Sequence, residues 1–202
     1  MFAKAPLPGR VKTRLVPLLG KQRATRLHAR MVEGTLRLAA QARFARVELH
    51  CAPHAHHPVF AALARRYSLT LRAQGRGDLG ARMLRACRRM LRTEKAVVLI
   101  GTDCPVLRVA DLRAAARALQ GGADAVLSPS EDGEYALIGL RRVSPRLFSG
   151  LEWGSDSVLQ QTRTRLRELG WRWRELRTVW DVDRPEDYAR LGRLHTHLHL
   201  MR

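Results

Sequence analysis

Asp103 stands at the end of an unbroken apolar run. In AVVLIGTDCP, the five residues Ala96 to Ile100 carry no polar side chain, and Gly101-Thr102 leads directly to the carboxylate. A short apolar run bounded by a turn signal is the pattern of a strand buried on both faces, as in a parallel sheet. Ligands of open α/β sheets bind just past the carboxyl ends of such strands. Pro105 stops the strand from continuing. A carboxylate so placed can meet a hard cation and a phosphate. The plainer reading makes Asp103 a cap for the helix that follows.

Two glycine-bearing loops offer chemistry that would complement it. Ala5 to Thr13, APLPGRVKT, cannot be helical through its prolines; Gly9 marks its bend, and Lys12-Thr13-Arg14 its exit. Backbone with glycine approaches phosphate closely, and Lys and Arg offset its charge. The stretch is not a P-loop, because no glycine directly precedes Lys12. Ordinary surface charge is the competing reading of Lys12 and Arg14. The second loop is QGRGDLGAR, Gln74 to Arg82. Gln74 has donor and acceptor atoms, as base recognition needs, whereas a tight turn with Asp78 capping the next helix explains the same residues.

Other chemistry-bearing residues have weaker patterns. Asp132-Gly133 reads as a β-turn. His54, His56 and His57 share a loop bounded by prolines with no carboxylate near in sequence, so a solvated loop is favoured over a metal site. His195, His197 and His199 alternate on the tail and define no site. Cys104 lacks an identifiable base and reads as packing.

Elements able to position these residues follow from periodicity. Strands are expected at Met1 to Lys4 (short for a full strand), Arg46 to Ala52, Ser68 to Ala73, Ala96 to Ile100, Asp124 to Pro129, Glu134 to Leu140 and Trp171 to Leu176. Helices are expected at Lys21 to Arg43, Pro58 to Arg66, from Arg82 to about Leu91, Val109 to Gln120, Asp156 to Leu169, and from Pro185 to about Leu194. The third of these sets Met83, Leu84, Cys87, Met90 and Leu91 against an arginine face, the pattern of a core-facing helix rather than one lying on a membrane. Strands alternating with helices argue a mostly parallel α/β sheet.

The chain has 202 residues, 46% of them hydrophobic, which suits one domain, 1–202, with a sizeable core. No apolar run approaches a transmembrane segment, and the first residues lack the apolar core of a secretion signal. Three cysteines without metal-type spacing point to a reduced, cytoplasmic protein. The net charge is +19, almost all from arginine. That charge favours polyanions. Without a basic run, and with three Tyr and four Phe to stack bases, compositional bias explains it better than a specific nucleic-acid partner. Oligomeric state leaves no signature.

Five stretches taken together carry a resemblance: FAKAPLPGRVKTRLVPLLG, QGRGDLGARM, LIGTDCPVL, DGEYALIGL and WDVDRPEDYARL. They resemble the GT-A-type transferases of the DUF2064 family, linked by name to arsenosugar biosynthesis, and are more distantly similar to nucleotidyltransferases. The likeness runs from Phe2 to about Leu191. It implies a GT-A-like three-layer α/β/α sandwich and a metal-dependent glycosyltransferase acting on a nucleotide-sugar donor and a small-molecule acceptor. Ala3, Lys4, Gly9, Lys12 and Arg14 would surround the donor phosphates. Gln74, Gly77 and Gly80 would lie beside base and ribose. Asp103, with Asp183 as second ligand and Asp181 as its alternative, would hold Mg²⁺ or Mn²⁺, which take carboxylate and phosphate oxygens. Asp187 would serve the start of the last helix. Asp132 joins Asp103 as a catalytic candidate, and Gly133, Glu134, Tyr135 and Trp153 would flank the acceptor, with Ser155 a weaker candidate. The family's usual DGGY is DGEY here, so a side chain stands where backbone could approach a ligand. Nucleotidyl transfer from a nucleoside triphosphate to a phosphorylated substrate, a nucleotide-binding member without activity, and a non-enzymatic polyanion-binding module are the alternative readings.

Overall fold

The computed structural model describes residues 1–193. The tail histidines His195, His197 and His199 lie outside the described residues. Thirteen strands and α-helices are β1 Phe2–Lys4, α1 Val16–Ala42, β2 Glu48–Ala52, α2 Pro58–Tyr67, β3 Thr70–Ala73, α3 Leu79–Met90, β4 Val97–Ile100, α4 Val109–Gln120, β5 Ala125–Pro129, β6 Tyr135–Leu140, α5 Val158–Glu168, β7 Trp173–Glu175 and α6 Pro185–Arg193. They fall into two compact units. Among the described residues the first comprises Met1–Ala73, Gly101–Val106 and 181–193; the second comprises Gln74–Ile100 and Leu107–Trp180.

In the first unit, β1, β2 and β3 form a parallel sheet in that order, with Ala3 opposite Cys51 and Leu49 opposite Leu71. Parallel neighbours require crossovers, and α1 and α2 supply them. The alternation in RVELHCA suggests one wet face, yet every residue of β2 is buried, because it is the middle strand. Glu48 is therefore buried, and its carboxylate needs cationic partners. Arg46 supplies one at 2.7 Å and Arg72 another at 3.7 Å, and the His50 ring nitrogen Nε2 lies 3.1 Å from the same carboxylate. Leu15, Leu36, Leu49, Cys51 and Phe60 fill this unit's core.

In the second unit the sheet order is β4-β6-β5-β7. Here β6 runs antiparallel to both β4 and β5, and β7 pairs parallel with β5. The apolar run at Ala96 to Ile100 is thus a strand, but its pairing in this sheet is antiparallel to β6, not parallel as the run alone suggests. An uninterrupted apolar sequence reports burial and carries no information on the direction of its neighbour. Helix α4 seats on the sheet where β6 has no side chain: a Cβ at Gly139 would stand 3.0 Å from Leu119 Cδ1.

Asp111 fixes the start of α4. Its Oδ2 accepts from Arg108 N at 2.8 Å, and Arg177 grips the same carboxylate through Nε at 3.1 Å and Nη2 at 2.7 Å. Capping α4 is therefore the work of Asp111, and Asp103 is left for another role.

The turn between β5 and β6 leaves no room for substitution. Gly133 has φ +86, and a Cβ there would lie 2.5 Å from the Asp156 Cα. Leu159 N donates to Gly133 O at 2.8 Å, so the same residue anchors the start of α5. A left-handed non-glycine backbone plus overpacking should make Gly133→Ala less stable by about 3 kcal/mol. Urea unfolding checks this: the midpoint should fall at unchanged slope.

Candidate functional site

The first unit gathers residues from three separated parts of the chain around Lys12. Val11 and Leu15 are buried on either side of it, and Lys12 itself has left-handed backbone, φ 49. Its side chain is driven inward and Lys12 is only 7% exposed. The Nζ forms an ion pair with Asp103 Oδ1 and donates to Val182 O at 2.6 Å. Val182 N donates to Asp103 O at 2.8 Å, closing the triangle. One residue on, Asp183 Oδ2 is paired with Arg14 Nη1. Asp187 Oδ2 accepts from Asp183 N at 3.1 Å and Arg184 N at 2.7 Å, so it caps the entry to α6 as its sequence position implies.

The Asp103 side chain is half exposed even though its Oδ1 lies against Lys12. Burial pushes its carboxyl up; the charge and hydrogen bond of Lys12, with His28 and Lys4 further off, more than reverse this and hold it below the ordinary 3.8. Asp103 is thus an anion at neutral pH.

Beneath lies His28, which the apolar spacing of α1 conceals. It is buried on the same face as Ala24, Met31 and Thr35. Its Nε2 lies 2.9 Å from Lys4 O, at the end of β1. A carbonyl can only accept, so Nε2 carries a proton. Burial lowers the His28 pKa below 6.5, outweighing the opposing contributions of the Lys4 carbonyl and Asp103. Ala3 beside it is buried, and the Lys4 residue is exposed.

In the second unit the glycine-rich loop is held by two arginines of α3. Arg85 donates from Nη1 to Gln74 O at 2.7 Å and from Nη2 to Arg76 O at 2.9 Å. Arg82 donates from Nε to Gly77 O at 2.9 Å. Asp78 caps α3 through Ala81 N at 2.7 Å. Gln74 is buried, while Gly75, Arg76, Gly77 and Asp78 are exposed. Gly80 is buried against the Phe148 backbone and the Trp153 ring: a Cβ would lie 2.3 Å from Phe148 O and 2.7 Å from Trp153 Nε1.

Trp153 also meets Tyr135 edge-on, with ring centroids 6.4 Å apart. Burial raises the Tyr135 phenol above its ordinary 10. Its hydroxyl is turned inward toward Thr162, so only the ring could face a ligand. Asp132 is exposed; its Oδ1 accepts from Glu134 N at 3.0 Å, making the turn as the Asp-Gly pair suggests. His57 Nδ1 likewise accepts from Val59 N at 3.3 Å, capping α2.

The residues named from sequence thus form two groups. Lys12, Asp103, Arg14 and Asp183 come together in the first unit, with Ala3, Lys4 and Gly9 on the neighbouring strand and loop. Gln74, Gly77, Gly80 and Trp153 are linked in the second, as are Trp153 with Tyr135 and Asp132 with Glu134. Among the described residues no group of three or more His, Cys, Asp or Glu side chains is placed to hold a metal. Sequence reasoning missed His28, the Val182 carbonyl, and the loop-holding role of Arg82 and Arg85. The 3–4 spacing of Ala24, His28, Met31 and Thr35 could have flagged the first.

The architecture is the GT-A-like fold of nucleotide-diphospho-sugar transferases. A Desulfovibrio desulfuricans G20 protein, provisionally assigned as a nucleotide-diphospho-sugar transferase, superimposes with TM-score 0.87 at 31% identity over 100% of this chain and 88% of its own. The chain belongs to the family described as "Uncharacterized protein conserved in bacteria (DUF2064)", which matches residues 35–155. Two other solved structures share the fold alone. They are 4-diphosphocytidyl-2C-methyl-D-erythritol synthase of Anaerococcus prevotii (TM-score 0.63, 10% identity, 96% of this chain and 93% of that one) and glucosyl-3-phosphoglycerate synthase of Mycobacterium tuberculosis in complex with Mn²⁺, UDP and glucosyl-3-phosphoglycerate (TM-score 0.54, 13% identity, 80% and 70%). No protein in the curated set matches.

Two predictions follow from these geometries. His28 has a lowered folded-state pKa, so the unfolded chain binds the extra proton first; its stabilisation is present above pH 6.5 and lost as pH falls. The urea midpoint should therefore drop on acidification below 6.5, and His28→Asn should remove that part of the drop. For the loop, Arg85→Lys keeps the charge but cannot span two carbonyls with one fork. It should cost about 1–2 kcal/mol and speed proteolysis within residues 75–79, read by limited digestion.

Proposed function

We propose that the protein is a cytoplasmic nucleotide-sugar transferase whose 202 residues work as one domain, moving a sugar from a nucleotide-diphosphate donor to a small-molecule acceptor. The observation that carries this reading is the convergence of Lys12, Arg14, Asp103 and Asp183 in a protein whose 31%-identical structural relative is assigned to that class. Cations and carboxylates together suit a diphosphate and its counter-ion, whereas a simple polyanion-binding surface needs cations alone. Among the described residues no helix is long and apolar enough to cross a membrane.

In the transfer, the bond from the anomeric carbon to the diphosphate oxygen breaks, the acceptor oxygen takes that carbon, and its proton leaves to a base. Lys12, Arg14 and Lys4 would offset charge on the departing diphosphate, with Ala3 and Gly9 giving it close backbone. Gln74, Gly77 and Gly80 would take base and ribose, on a loop already held by Arg82 and Arg85. Asp132 would stand at the acceptor as the base, with Gly133, Glu134 and the faces of Tyr135 and Trp153 shaping its site.

The residues present fit Mg²⁺ or Mn²⁺ by chemistry. Asp103 and Asp183 are hard oxygen donors with side chains 50% and 36% exposed. Such an ion, when bound, would stabilise negative charge on the leaving diphosphate.

Nucleotidyl transfer is the second reading, favoured by the exit of the start loop, where Lys12 and Arg14 with Lys4 could hold a triphosphate equally well. The products separate the two: sugar transfer releases a nucleoside diphosphate, nucleotidyl transfer releases pyrophosphate. A thermal-shift screen of UDP, GDP, CDP, ADP and TDP derivatives with and without Mn²⁺, followed by product analysis, tests the reading. Asp103→Asn leaves the buried Lys12 ammonium without its carboxylate and should be less stable by about 3 kcal/mol; compared where both proteins are folded, it should lower turnover by on the order of 10², as expected for loss of a preorganised charge. Unchanged turnover in that variant would remove Asp103 from the mechanism.

A further inference from the structure

The two carboxylates suited to a divalent ion already carry cations from the chain itself. Of the four lysines, Lys4, Lys21 and Lys95 are exposed and Lys12 is buried. Its ammonium lies against Asp103 Oδ1 and donates to Val182 O at 2.6 Å, the kind of oxygen-lined position a hard cation prefers. Arg14 has taken Asp183 in the same way, although on the exposed side. An ammonium and a divalent ion sharing one carboxylate would repel at short range. Val11 and Leu15, buried on both sides of Lys12, fix its backbone, so the side chain alone can yield.

We propose that Lys12 is the resident counter-ion of Asp103 in the free protein, and that a divalent cation binds Asp103 only by displacing its ammonium. This rests on the reading of Asp103 as a metal ligand given above. The displacement has a consequence for the order of binding. Lys12 loses both of its partners when the metal enters, and its ammonium is then available to an anion. Metal alone binds weakly, because a buried pair must be broken. Metal together with a phosphate-bearing ligand binds better, because the freed ammonium gains a new partner. Lys12 is thus a positioning residue before the ligand enters and a phosphate contact afterwards.

The test uses Mn²⁺ itself, with free ion followed by electron paramagnetic resonance in the absence of nucleotide. Lys12→Met keeps the length of the side chain and removes its charge; it should bind Mn²⁺ about tenfold or more tighter than wild type, within the usual range of coupling between two sites. Asp103→Asn should bind it weakly or not at all. Equal or weaker Mn²⁺ binding by Lys12→Met overturns the proposal. Because that variant breaks a structural pair, a second measurement uses the wild-type protein. Lysines are acylated with a water-soluble succinimidyl ester and read by mass spectrometry. Lys12 should react slowly without metal and several-fold faster in Mn²⁺, while Lys4, Lys21 and Lys95 stay unchanged. Constant Lys12 labelling in millimolar Mn²⁺, whether the ion binds elsewhere or not at all, also overturns it. Nucleotide-induced thermal stabilisation without metal is scored separately. Stabilisation with constant Lys12 labelling sinks this inference and leaves the transferase reading intact; metal-dependent labelling without sugar-nucleotide turnover does the reverse.

Discussion

A single ammonium ties the first unit together. Lys12 comes from the start loop, Asp103 from the short segment after β4, and Val182 from the chain ahead of α6; these are its three separated pieces. Backbone joins two of them through Val182 N and Asp103 O, and Lys12 bridges the third. Burying a lysine is tolerable only when its charge is met, and here a carboxylate and a carbonyl meet it. The sequence ahead of Lys12 is shaped to this end. Prolines and Gly9 forbid helix, Val11 and Leu15 provide apolar anchors, and a left-handed backbone at Lys12 points the side chain inward. Strain of that sort on a non-glycine residue persists only where its surroundings over-determine it.

The second unit solves a different problem, which is how to keep exposed glycine-rich backbone in one conformation. Glycines at 75 and 77 both have positive φ, so the loop has little intrinsic preference. Arg82 and Arg85 supply what the sequence of the loop lacks, by taking its carbonyl oxygens from α3. The face of α3 that looks like solvated charge is therefore partly internal scaffolding. At the other turn, Gly133 lets the Asp156 backbone approach, and Asp132 closes the turn on Glu134 N. The DGEY sequence keeps the glycine this geometry requires, and its glutamate occupies the position after it.

Much of this was legible in the chain, and the boundary follows the range of the forces involved. Strands and helices came within a few residues of their observed ends because periodicity and caps are local; Asp78, Asp187 and the Asp132 turn behave as their neighbours dictate. Direction of pairing was not legible for β4, since antiparallel β6 leaves no mark on an apolar run. The burial of Glu48 was hidden too, because its middle-strand place depends on β1 and β3. Partners for Lys12 lie 91 and 170 residues away, so sequence could nominate the residues and their type of chemistry but not their pairing. Family likeness nominated Asp103 and Asp183 as a pair; geometry added that each meets a cation of the start loop.

Composition sharpens what that pairing means. With 37 basic residues and 18 acidic ones, a carboxylate in this protein will commonly find an arginine beside it. Asp111 has Arg177, Glu175 has Arg163, and Asp124 has Arg141 and Arg142. The first two are planar, forked contacts of a group that no metal ion imitates, and Asp124 meets each of its arginines through a single nitrogen. Asp103 is different in kind: its partner is one of only four lysines, and the contact is a compact point charge with three rotatable donors. An arginine there would hold the carboxylate by shape as well as charge, and would resist exchange. A lysine holds it by charge alone, which is the property a divalent ion can take over.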